Sequence, residues 1–122
     1  MDIIVLGVII LIIDSIYLHS FSGFFNKIVN DIQGSDIKLK YDGAILCYIT
    51  MVLGLKYFII DEKKPIKDAF LLGLLIYSVF EFTNYAILDK WNLKAVLIDS
   101  IWGGILFAIS TYLYYVYLDY KK

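Results

Sequence analysis

Four long apolar runs, set close together in a chain of 122 residues, constrain this fold more than any other feature of the sequence. They occupy residues 3–21, 41–60, 69–88 and 93–117. Each approaches the roughly 20 residues that a helix needs to cross a bilayer. The stretch joining the second run to the third, Asp61-Glu62-Lys63-Lys64-Pro65-Ile66-Lys67-Asp68, is charged, and its proline falls outside both runs. Hydrocarbon offers no partner for backbone N–H and C=O groups, so segments crossing it must bond internally, as helices do. The expected fold is all-α, a four-helix transmembrane bundle. With 61% hydrophobic residues, the composition lies beyond the usual soluble range.

The first run needs Asp14 inside it, because Ile3 to Ile13 alone is too short to span. A span is expected here rather than a cleavable signal, since Met1-Asp2 carries no positive charge and no small-x-small site follows the run. Next, Phe24, Phe25, Ile28 and Ile32 recur at helical spacing before Gly34-Ser35. This predicts a short amphipathic interfacial helix over residues 22–34, between helices 1 and 2. On the second span, Gly43, Cys47, Thr50 and Gly54 share a face, where small residues admit another helix. Ser100, Gly104 and Ala108 form a similar ridge on the fourth. Trp91 and the tyrosines Tyr112, Tyr114, Tyr115, Tyr117 and Tyr120 read as interfacial aromatic anchors.

Ionisable groups inside such spans are costly and mark sites of function. In an up-down bundle, Asp14 falls roughly 10 Å below one surface, Glu81 roughly 12 Å, Asn84 roughly 8 Å and Asp99 roughly 9 Å. Residues from three helices thus share a single layer, with His19 and Asp42 above them. Helical spacing aligns Tyr77, Glu81, Asn84 and Leu88 on one face, and Asp99, Trp102, Gly103, Leu106 and Ser110 on another. No lysine lies at that depth, and the chain has no arginine. Mutual repulsion then requires that at least one carboxyl hold a proton, or that a cation be bound. Carboxylates with an amide oxygen are hard ligands suited to Na⁺, Ca²⁺ or Mg²⁺. The candidate site is Asp14, Glu81, Asn84 and Asp99, supported by His19, Thr83, Trp102 and Gly103.

Several function classes are excluded or disfavoured. A net charge of −1 gives nucleic acid no basic field to meet. One cysteine and one histidine rule out a zinc site of the usual kind. The sequence lacks His-Glu-x-x-His, Gly-x-Ser-x-Gly and glycine-rich phosphate loops, and arginine-dependent lipid phosphatase chemistry has no arginine to use. A binding role is therefore expected ahead of an enzymatic one, with no cofactor. The leading expectation is a site for protons or a cation, transporter-like or channel-like, in a homo-oligomer within the lipid bilayer. The alternatives are a structural or envelope protein whose polar layer fixes packing, and a lipid-binding or lipid-modifying protein acting through residues 22–34.

The stretch Phe80-Glu81-Phe82-Thr83-Asn84-Tyr85-Ala86-Ile87-Leu88, then Trp91, then Asp99-Ser100-Ile101-Trp102-Gly103, resembles the centre of the DUF2177 family of small membrane proteins. That pattern reads Tyr-Asp-x-Thr-Asn-x-Ala-x-Leu, then Trp, then Asp-x-x-Trp-Gly. Phe80 and Glu81 depart from it while keeping an aromatic ring and a carboxylate. Asp14 with Tyr17-Leu18, and Tyr48 through Phe58, are similar to the family's first and second helices. The resemblance implies four helices and a multi-pass integral membrane location, in a cell membrane or a viral or host internal membrane. It supplies no reaction.

Overall fold

The computed structural model describes residues 3–122. Its helices are α1 (Ile3–Gln33), α2 (Tyr41–Leu55, continued by a π-helical turn over Lys56–Ile60), α3 (Ile66–Ile87) and α4 (Leu93–Lys121). All four are long and apolar enough to cross a membrane. Their outward faces carry exposed apolar side chains such as Ile4, Leu46, Val79 and Ile87, as a lipid-facing surface should.

The helix ends follow local chemistry. Gly34 adopts φ +76, a left-handed conformation that glycine takes without steric cost, and its N–H bonds Asn30 O at 2.8 Å, closing α1. Lys90 Nζ reaches Asp31 O at 2.7 Å, placing a cation on the exposed carbonyls of that helix end. Pro65 precedes α3, where its missing N–H costs no helical bond. Asn92 caps α4, its Oδ1 accepting from Ala95 N at 2.8 Å.

Two expectations are corrected. Residues 22–33 are helical, but they extend α1 rather than forming a separate interfacial helix. No breaker interrupts the chain before Gly34, so α1 runs 31 residues, about 46 Å at helical rise. The apolar stripe of this extension meets protein: Ile28, with Phe24, Phe25 and Val29, packs on Leu88, Trp91, Ala95 and Val96. Asn26 and Asn30 donate to Asp36 at 3.3 and 3.0 Å, folding the connecting loop back along the helix.

The small face of α2 is the second correction, for it receives no helix of this chain. A Cβ added at Gly43 or Gly54 would meet nothing within 4 Å. The close approach lies instead between α3 and α4. A Cβ on Gly73 would sit 2.1 Å from Gly103 O, one on Gly103 would strike Tyr77, and one on Gly104 would strike Phe70. Backbones this near gain dispersion contact over their full length, which lipid cannot match. Meanwhile α1 packs on α4, and α2 on α1. Leu6, Ile10, Val52, Leu55, Leu106, Phe107 and Tyr114 fill the centre of the bundle. Between α2 and α3 contact is sparse, and a cleft remains.

Candidate functional site

Asp14 is 6% exposed, in the N-terminal half of α1. Its carboxylate accepts one hydrogen bond from the Tyr48 hydroxyl of α2 and another from Trp102 Nε1 of α4, at 2.9 Å. Both donors are neutral, and between them they tie three helices to a single side chain. Burying a carboxylate is tolerable only when its oxygens are met in this way.

Glu81 and Asp99 form a second unit. Glu81, 1% exposed on α3, accepts from Trp91 Nε1 at 2.8 Å. That indole reaches back because Leu88 leaves the helix with extended backbone and the turn doubles over, Trp91 N bonding Leu88 O at 3.0 Å. Asp99 accepts from the Tyr17 hydroxyl at 3.0 Å. The Glu81 and Asp99 carboxyl groups neighbour each other across the tight α3–α4 interface.

An aromatic stack joins the two units. The rings of Tyr17 and Trp102 lie parallel, 2° from coplanar orientation, with centroids 4.6 Å apart. Trp102 serves Asp14 while Tyr17 serves Asp99, so the path runs Tyr48, Asp14, Trp102, Tyr17, Asp99, Glu81, Trp91. Both ion pairs with Lys56 and Lys122 lie elsewhere, to Asp61 and Asp119. Among the described residues, no three His, Cys, Asp or Glu side chains gather as a metal centre requires.

Of the residues expected from sequence, Glu81 and Asp99 meet, and Asp14 joins them through the stack. Trp102 is a donor, and Gly103 is the buried seat on which Tyr77 packs. Asn84 is half-buried and makes no side-chain hydrogen bond among the described residues. Thr83 is exposed and bonds its own helix, donating to Val79 O at 2.6 Å. His19 faces outward. Trp91 corrects its reading as an interfacial anchor, being 9% exposed and bonded to Glu81. Tyr48 carries no local signal of its role, since its partner lies on another helix 34 residues away. A tyrosine in an apolar span, needing a partner for its hydroxyl, is the clue that points to it.

Asp99 also lines the cleft between α2 and α3, a space of about 450 Å³ bounded by Leu46, Cys47, Thr50, Met51, Ile76, Tyr77 and Phe80. The fold and this buried polar path together define a four-helix, multi-pass integral membrane protein. Within that class the chain belongs to the DUF2177 family, described as predicted membrane proteins, whose profile matches residues 1–116. No curated protein and no solved structure matches it.

Proposed function

We propose that Glu81 and Asp99 share one proton at neutral pH, and that this pair exchanges its proton for a cation during transport across the membrane. The proximity of buried Glu81 to partly buried Asp99, with no lysine in ion-pair distance of either among the described residues, carries this reading. Other titratable groups lie near the pair: Tyr17 from α1, whose hydroxyl bonds Asp99, and Cys47 from α2 and Tyr77 from α3, which line the same cleft as Asp99. None is basic, so the pair has only a proton or an incoming cation to offset its charge. Asp99 fronts the cleft and Glu81 lies behind it, which gives the pair one open and one closed side.

Infrared spectroscopy of the protein in lipid bilayers tests the pair, through the C=O band of a protonated carboxyl at neutral pH. The band is expected in the wild type and absent in Glu81→Gln or Asp99→Asn; a wild type without it overturns the assignment. Proton movement into vesicles tests exchange. Equal movement in the wild type and the Glu81→Gln, Asp99→Asn double variant would end the transport reading.

Asp14 favours a second, structural reading for itself alone. Its two neutral donors leave it satisfied, and they cross-link α1, α2 and α4. A lipid-binding role through residues 22–34 draws less support, because the apolar stripe that would enter the lipid is covered by Trp91, Ala95 and Val96.

A further inference from the structure

We propose that the cleft between α2 and α3 binds a lipophilic ammonium ion, which enters sideways from the bilayer and places its N–H against Asp99. The inference rests on Glu81 and Asp99 carrying one proton and one negative charge, since that charge is what the ammonium answers.

The cleft opens where α2 and α3 fail to pack, and its margin carries the exposed side chains Leu46, Ile76 and Phe80. Its volume of about 450 Å³ falls within the range of small-molecule pockets. The lining is almost wholly apolar, and its polar groups sort the ligand class. Thr50 donates to Leu46 O at 2.8 Å, and the Tyr77 hydroxyl turns to Met51 Sδ at 3.6 Å. Both hydroxyls are already engaged, so an anionic or phosphate-bearing headgroup is left with only the weak Cys47 thiol as a side-chain donor. A bare metal ion fits no better, because one carboxyl in an apolar wall supplies far fewer oxygens than the six or so a hard cation takes. An ammonium needs only one acceptor for its charge and an apolar bed for its carbon. Tyr77 and Phe80 add aromatic faces that attract a cation.

Cys47 stands in the wall of this cleft and is the only cysteine of the chain, so its labelling reports occupancy. Full-length protein in phosphatidylcholine vesicles is reacted with a membrane-permeant maleimide and read by mass spectrometry. The probes are diphenylbutylamine and diphenylbutanol, alike in size and different in charge, compared at equal concentration in the membrane. The amine is expected to slow Cys47 labelling by half at a concentration about tenfold or more below that of the alcohol, the margin of a hydrogen bond to a charged group. In Asp99→Asn the two probes should differ by less than about twofold. Equal protection by amine and alcohol in the wild type, or protection by neither, overturns the proposal without need of any variant. The infrared band separates the two failures. A band without amine protection removes the ammonium and keeps the proton-sharing pair, whereas its absence removes the pair itself.

Discussion

Replacing Gly73 by alanine puts the α3–α4 interface to a quantitative test. The new methyl would sit 2.1 Å from Gly103 O and 2.8 Å from both Gly103 C and Phe107 Cγ. Two of these three atoms are backbone, so no rotamer change relieves the clash, and the helices must part by roughly 1 Å to restore contact distance. Overpacking of this kind costs about 3 kcal/mol, offset by about 1 kcal/mol of improved helix propensity. A net loss of about 2 kcal/mol is expected, read from reversible unfolding in mixed micelles. The parting should also draw Glu81 from Asp99, two helical turns along, and weaken the protonated carboxyl band. Gly54→Ala supplies the contrast, since its methyl meets open space and should change stability by less than about 0.5 kcal/mol. Gly73→Ala as stable as the wild type, or Gly54→Ala equally damaging, would refute the assignment of the close interface to α3 and α4.

Trp102→Phe keeps an aromatic face on Tyr17 but removes the indole donor from Asp14, and should cost about 1.5–3 kcal/mol. In an Asp14→Asn background the same change should cost markedly less, a coupling that a double-mutant cycle measures; additive costs would refute the bond. Ile28→Ala removes the buried anchor of the α1 extension and should cost about 2–4 kcal/mol of its docking. Hydrogen exchange over residues 22–33 is then expected to rise well above that of residues 3–20, and unchanged protection would show that the extension holds without its contact to α4.

Much of this architecture was legible because membrane spans are written locally. Length and apolarity mark each helix, Gly34 marks the end of α1, and the cost of a carboxyl group inside a span marks Asp14, Glu81 and Asp99 as special. What could not be read there concerns partners. The stripe Phe24, Phe25, Ile28 is satisfied equally by lipid and by Trp91, and periodicity does not distinguish the two. Small residues at Gly43, Cys47, Thr50 and Gly54 permit a neighbouring helix, yet they equally leave a cleft empty. Trp91 at the end of a span has a sufficient explanation in the interface, which conceals its bond to Glu81. Donors to a buried carboxylate come from distant helices, and nothing in the spacing along one helix announces them.

The uneven packing of the four helices divides the molecule into a frame and a leaf. Glycines lock α3 to α4, and the Tyr17–Trp102 stack pins α1 to the same block, with each ring gripping a different carboxylate. The open side belongs to α2: Met51, Val52 and Leu55 reach the core, the Tyr48 hydroxyl and the Tyr77–Met51 contact hold its middle, and Tyr115 bonds its π-helical foot at Ile59 O, but its face toward α3 borders the cleft. Widening the cleft therefore asks least of α2, swinging like a page on its spine while the carboxyl pair stays fixed in the binding behind it.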